Sequence, residues 1–203
     1  DIDTENLDEE LETLTYISMF CNDTKVSDGK LTGDPTETAL IDMGFKLDFQ
    51  PPILEKYERV KELPFDSDRK LMTTVHLFPN KYMVYTKGGV DELLNRCSSY
   101  VINGNVNTDI DEYRKEIVKQ NEEMAKNALR VLAMAYKELD HEPTDEEMKT
   151  IENDLTYVGM VGMIDPPREE VKLAVEKCKT AGIKTVMITG DQKATAVAIA
   201  KDL

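Results

Sequence analysis

The sequence predicts a mixed α/β fold, and three observations carry that prediction. Leu71–Phe78 and Lys81–Thr86 are β-rich runs separated by Pro79-Asn80, the pattern of a β-hairpin. Asp34-Pro35-Thr36-Glu37 has the form of a helix start, with an acidic N-cap, Pro at N1 and Glu at N3. After Thr156 the order becomes strand, helix, strand, turn, helix, the signature of a parallel, Rossmann-like sheet. That last β-α-β piece is incomplete, because a doubly wound sheet needs more strands than these.

The elements follow in order. Residues 8–20 carry Leu11, Leu14, Ile17 and Phe20 at near-helical spacing and predict a helix. Asn22–Gly33 reads as a turn region, with Asp28-Gly29 as its tight-turn pair. The helix opening at Asp34 is expected to run to about Met43, with Gly44 near its end. Tyr57–Leu63 is a strand ahead of the hairpin. Val90–Cys97 reads as a helix, Ser99–Ile102 as a short strand and Asn103-Gly104 as a turn. Asp109–Leu129 is a long polar helix with few apolar positions (Ile110, Ile117, Met124). Arg130–Lys137 alternates as a strand does, and Thr144–Asn153 is an acidic helix behind a Pro.

The last stretch supplies the parallel pattern. Tyr157–Ile164 is a strand stopped by Asp165-Pro166-Pro167, and Arg168–Thr180 is a helix with Val171, Ala174, Val175 and Cys178 on one face. Gly182 ends it, Lys184–Ile188 is a short apolar strand, Thr189-Gly190-Asp191 a turn, and Thr195–Leu203 begins another helix.

Composition excludes several classes. A chain of 203 residues makes one domain, or one and a piece, and can bury about 70% of its unfolded surface. Cys21, Cys97 and Cys178 are odd in number, far apart and without a CxxC pair, which argues for a reducing compartment and against a disulfide framework or zinc site. No apolar run is long enough to span a bilayer, and no signal-peptide pattern opens the chain. The net charge of −15 sits in two patches: residues 1–12 hold seven acids and no base, and residues 138–154 hold eight acids and one base. The near-neutral remainder has no Lys/Arg stripe of the kind that neutralises a nucleic-acid backbone.

Single motifs have bland readings beside functional ones. Thr189-Gly190-Asp191 lies where a strand's carboxyl end meets a helix, a position suited to phosphate, or it is an ordinary capped turn. Lys87-Gly88-Gly89 would let backbone approach a ligand and give a point charge to phosphate, or it is a charged strand end. It lacks P-loop spacing. Glu37 fits a capping box, Arg130 a surface charge, and Phe65 beside Asp66-Ser67-Asp68-Arg69-Lys70 either a core anchor or a stacking surface. Residues 1–12 place acids at EF-hand positions 1, 3, 5 and 12, but Asn6 stands where that loop needs Gly, and no helix precedes it. Asn22-Asp23-Thr24 matches a glycosylation sequon without a secretion signal, and His76 and His141 have no partners suggesting a metal site or triad.

In order, the motifs are specific. Cys21-Asn22-Asp23, Gly33-Asp34-Pro35-Thr36-Glu37-Thr38-Ala39-Leu40, Phe65-Asp66-Ser67-Asp68-Arg69-Lys70, Lys87-Gly88-Gly89, Leu129-Arg130-Val131-Leu132, Asp165-Pro166-Pro167-Arg168 and Thr189-Gly190-Asp191 closely resemble the cytoplasmic headpiece of P-type cation-transporting ATPases, type II and calcium-pump-like, over essentially the whole chain. The resemblance implies an antiparallel sheet flanked by helices over residues 1–164, the nucleotide-binding domain, and part of the HAD-like phosphorylation domain over 165–203. It implies ATP as ligand, with Phe65 stacking on adenine, Glu37 at the adenine edge, Lys87 beside base and ribose, Arg130 at the phosphates, and Lys70, Met72 and Gly88 lining the pocket. It assigns Thr189 and Gly190 to γ-phosphate contacts, with Asp191 beside them, and Asp165 and Arg168 to the hinge.

The resemblance further implies Mg²⁺, a cytoplasmic location on an integral membrane pump, and the remaining phosphorylation, actuator and transmembrane domains as partners. One departure is mild, Gly89 for the usual Ala; a second, Gln192 for the usual Asn after Thr-Gly-Asp, bears on the contact expected there. A third is larger. No Asp-Lys-Thr occurs, so the phosphorylated aspartate and the rest of the Mg²⁺ site are absent, and the chain reads as a pump fragment expected to bind ATP without turning it over. Two other classes stand as alternatives: an acidic Ca²⁺-binding or regulatory module, and a soluble phosphatase, against which the missing nucleophile counts.

Overall fold

The computed structural model describes residues 7–127, 129–164 and 169–188, with Val197, Ile199 and Ala200. The chain runs α1 (Glu9–Phe20), β1 (Lys25–Ser27), β2 (Lys30–Thr32), α2 (Pro35–Lys46), a 3-10 turn at Pro51–Glu55, β3 (Arg59–Asp66), β4 (Leu71–Phe78) and β5 (Lys81–Gly88). It continues through α3 (Val90–Leu94), β6 (Cys97–Ile102), β7 (Asn105–Asn107), α4 (Ile110–Lys126), β8 (Arg130–Leu139), α5 (Asp145–Met148), β9 (Leu155–Met163) and α6 (Glu169–Thr180). Seven strands form one sheet in the order β3-β4-β5-β8-β9-β6-β7, antiparallel except for the parallel β6–β9 pair. The expected mixed α/β class, a largely antiparallel sheet with flanking helices, is the fold.

Alternation along the strands sorts side chains onto two covered faces. Ala133 and Ala135 of β8 pack with Leu93, Leu94, Ile110 and Ile117 of α3 and α4, whereas Met134 between them packs with Leu14, Ile17 and Leu40 of α1 and α2. Because both faces are covered, β4 is buried continuously from Leu71 to His76, which explains its unbroken run of apolar and Thr residues. The two hydroxyls in that run are accommodated differently: Thr73 Oγ1 lies 2.9 Å from Thr86 Oγ1, while Thr74 Oγ1 has no partner.

Several expectations change in structural terms. The segment read as a turn at 22–33 contains the short β1–β2 hairpin, whose turn residues Asp28 and Gly29 take φ of 50° and 71°. Gly44 does not stop α2: a Cβ there would lie 2.4 Å from Met19 Sδ, so the glycine lets α1 and α2 approach closely and the helix continues to Lys46. β3 reaches Asp66, which puts Phe65 on a strand end and not in a loop. β7 extends the turn at Asn103-Gly104 into a hairpin, and the helix at 144–153 is the short α5 with a Thr144–Glu147 capping box.

The larger correction concerns the Rossmann-like piece. β9 pairs along most of its length with β8 and, at Leu155–Tyr157, with β6 on its other side. Residues 184–188, expected as a strand, take no strand conformation, and Val186 and Ile188 are 74% and 94% exposed. Asp165, Arg168, Thr189, Gly190 and Asp191 lie outside the described residues, as does the helix expected over 195–203 apart from Val197, Ile199 and Ala200, which are helical.

An aromatic cluster seals one face beneath α1. Tyr57 and Phe78 stack with ring centres 3.7 Å apart, and Phe20 meets Tyr57, Phe78 and Tyr85 at 5.7–6.3 Å. His76 lies inside it, 5.1 Å from the Phe20 ring, with Nδ1 3.3 Å from the Tyr57 carbonyl and Nε2 without a partner. The carbonyl can only accept, so Nδ1 carries a proton, and the buried Nε2, with no acceptor in reach, is left without one.

Burial holds the His76 pKa down at about 4. An unfolded His protonates near 6.5, so this contribution is complete above about pH 6.5 and drains as pH falls toward about 4. Urea unfolding should therefore show wild type losing about 2 kcal/mol from this group between about pH 7 and about pH 5. His76→Gln should show a correspondingly flatter pH dependence, and parallel curves would contradict the assignment.

Candidate functional site

Antiparallel pairing brings the end of β5, the start of β4 and the start of β8 to one edge region. Met72 of β4 stands opposite Lys87 of β5, and Lys87 opposite Met134 of β8. The amino end of α2 and the carboxyl end of β3 close over this place and leave a cleft of about 610 Å³. Glu37, Phe65, Lys70, Met72, Lys87, Gly88 and Arg130 all line it, joined by Asp23, Asp34, Thr36, Gly89 and Leu132. Seven residues singled out from sequence therefore meet in one cavity, although they come from five elements and one connecting loop.

Its floor is a buried ion pair. Lys87 Nζ donates to Glu37 Oε1 at 2.6 Å and also to the Cys21 carbonyl oxygen. Glu37 Oε2 accepts the Asp23 backbone N–H at 3.1 Å, and the Glu37 carbonyl accepts from Asn22 Nδ2 at 2.9 Å. Glu37 thus turns inward to the lysine; Asp34 alone caps α2, accepting from the Thr36 N–H at 2.8 Å, a bond that holds its carboxyl below the usual range. The capping-box account of Glu37 is therefore replaced by a floor contact.

The walls differ in character. Met72 is fully buried beneath the cleft, and the Phe65 ring stands 62% exposed at its side. Arg130 Nη1 donates to Thr36 Oγ1 at 2.9 Å, and Lys70, with a positive φ of 55°, holds its ammonium 3.6 Å from Glu92. The floor is charge-compensated while the rim presents two solvated cations. That suits a flat, weakly polar group inside and an anionic group outside.

Gly88 and Gly89 are not equivalent. A Cβ on Gly88 would lie 2.2 Å from the Lys70 carbonyl oxygen, whereas one on Gly89 would meet the Lys70 side chain at 3.8 Å, an ordinary contact. Gly88→Ala should cost about 1–3 kcal/mol by overpacking against backbone, and Gly89→Ala should fall within about 0.5 kcal/mol of wild type in chemical unfolding. Equal costs at the two sites would contradict the geometry.

Neither buried thiol is activated as a nucleophile. Cys21 is fully buried with Sγ 3.3 Å from the Met72 carbonyl, and burial pushes its thiol pKa up. Burial also pushes the Cys97 thiol up to about 12. Among the described residues no group of three or more His, Cys, Asp or Glu is arranged to hold a metal ion. No helix among them is long and apolar enough to cross a membrane. Sequence reasoning gave no role to Asn22 and Asp23, although the Cys21-Asn22-Asp23 motif marked their segment; their contacts to Glu37 bridge 14–15 residues and have no local signal.

Residues 10–170 match the family described as P-type ATPase, cytoplasmic domain N. The chain is 44% identical over 200 residues to a calcium-transporting ATPase of Bacillus cereus, covering 98% of this chain and 22% of that protein. It is 46% identical over 187 residues to one of Lactococcus lactis, covering 91% of this chain and 21% of the relative. A sodium/potassium-exporting P-type ATPase of Schizosaccharomyces pombe is 38% identical over 186 residues, 90% of this chain and 18% of its own length. The chain spans about a fifth of the length of these relatives. With its sheet, its cleft and this match in agreement, the chain belongs to the P-type ATPases, residues 10–170 being their cytoplasmic domain N.

Proposed function

We propose that this chain binds ATP for a P-type cation pump, holding the nucleotide by its adenosine end in the 610 Å³ cleft. The convergence of Glu37, Phe65, Lys70, Met72, Lys87, Gly88 and Arg130 on that cleft is the observation that carries the reading. Phe65 offers an exposed ring for the base. Glu37 offers carboxylate lone pairs to the adenine amino group, Lys87 fixes that carboxylate, and Arg130 with Lys70 faces the phosphates. A carboxylate can only accept, so it favours the amino group of adenine over the O6 acceptor of guanine.

In this proposal residues 1–164 are the nucleotide-binding domain, and 165–203 belong to the phosphorylation domain, where Thr189 and Gly190, with Asp191 beside them, serve the γ-phosphate and Asp165 and Arg168 the hinge. The pump is placed in a membrane with this domain on the cytoplasmic side, its partners being the phosphorylation, actuator and transmembrane domains. Calcium is the proposed ion, from the resemblance of the Phe-Asp-Ser-Asp-Arg-Lys and Asp-Pro-Pro-Arg segments to calcium pumps and from the names of the Bacillus and Lactococcus relatives. The domain's work is positioning: it delivers the γ-phosphate to an aspartate that this sequence does not contain.

Calorimetric titration tests the reading. ATP should bind saturably and more tightly than GTP; equal affinities, or no binding by folded protein, would overturn it. Incubation of the purified chain with ATP and Mg²⁺ should release no phosphate above the protein-free rate. Steady release abolished by Lys87→Met would contradict binding without turnover.

A further inference from the structure

Two charged side chains are buried among the described residues, Lys87 and Glu152. Lys87 belongs to the cleft floor. Glu152, just ahead of β9, does not line the cleft, yet burying a carboxylate is costly unless it is paired. Its Oε1 accepts from Arg69 Nη1 and from Thr73 Oγ1, the latter at 2.8 Å. The second guanidinium nitrogen of Arg69 turns the other way and donates to the Pro64 carbonyl at 2.7 Å.

That carbonyl immediately precedes Phe65. On the other side of Phe65, Asp66 Oδ1 accepts the N–H groups of Asp68 and Arg69 at 2.9 and 3.0 Å, and the Asp66 carbonyl accepts from Lys70 N at 2.7 Å. The β3–β4 ladder shifts register between Leu63 and Asp66, so sheet pairing does not hold Pro64 and Phe65. Side-chain bonds do the fixing that the ladder omits. The bridge requires a planar fork with two donors, which Arg supplies and Lys does not.

We infer that Arg69, anchored by the buried Glu152, is a positioning residue that presets the exposed Phe65 ring for stacking on a nucleobase. The inference rests on the nucleotide reading of the cleft. A ring in the irregular stretch of an edge strand, between the paired Leu63 and Asp66, would lose freedom on binding; here the peptide units flanking it are fixed beforehand, so less ordering remains for the ligand to offset.

A thermodynamic cycle tests it, with ATP titrated calorimetrically into wild type, Phe65→Ala, Arg69→Lys and the Arg69→Lys/Phe65→Ala double variant. Arg69→Lys keeps a cation against Glu152 and loses the bridge to Pro64. It should weaken ATP binding about three- to tenfold when Phe65 is present, and less than about twofold in the Phe65→Ala background. Arg69→Gln/Glu152→Gln, which removes both charges, should repeat this pattern; should it fail to fold, Arg69→Lys decides alone. An equal loss in both backgrounds assigns Arg69 a general structural role and overturns the inference. So does an unchanged Arg69→Lys affinity where Phe65→Ala alone binds weakly. Absence of saturable ATP binding by wild type overturns the underlying reading and the inference with it.

Discussion

Lys87→Met is expected to weaken ATP binding at least about tenfold and to lower stability by about 3–5 kcal/mol, the usual consequence of breaking a buried ion pair. The Lys87 and Glu37 side chains are only 7% and 16% exposed, so removing the cation strands a carboxylate in a largely dry site. The Cys21 carbonyl loses its lysine donor in the same step. Lys87→Met/Glu37→Gln separates the two effects. Without an unpaired charge it should recover most of the denaturant midpoint while ATP binding stays weak. Recovery of binding along with stability would mean that Lys87 serves the fold and not the ligand.

Phe65→Ala should show the opposite separation. Base–aromatic stacking is worth roughly 1–3 kcal/mol, so ATP affinity should fall between about fivefold and about 150-fold. The ring is 62% exposed, and stability should change by less than about 0.5 kcal/mol. Phe65→Tyr keeps a stacking face and should retain most of the affinity. A loss of stability without a loss of ATP affinity in Phe65→Ala would make the ring a core anchor after all.

What could be read from sequence depended on how local the cause was. The β4–β5 hairpin and the start of α2 are specified by neighbouring residues, Pro79-Asn80 and Asp34-Pro35, and both stand where the sequence put them. Gly44 and residues 184–188 misled for the converse reason. Gly44 is set by its close contact with Met19 of another helix, which no local pattern shows, and the apolar run 184–188 finds no strand partner among the described residues. Strands of three residues, such as β1 and β2, are too short to show a period. The candidate site was legible as a set of residues through ordered motifs, but its working contacts span distances no window covers. Lys87 reaches Glu37 across 50 residues and Arg69 reaches Glu152 across 83.

The most direct measurement is an ATP titration of the isotope-labelled chain followed by backbone amide NMR. Saturable shifts, fitted by one dissociation constant, are expected at Glu37, Phe65, Lys70, Lys87, Gly88 and Arg130, with little change at the second, shallower cleft lined by Leu47, Phe49, Ile53 and Lys56. Shifts concentrated in that second cleft, or unsaturating shifts spread over the surface, would contradict nucleotide binding in the first.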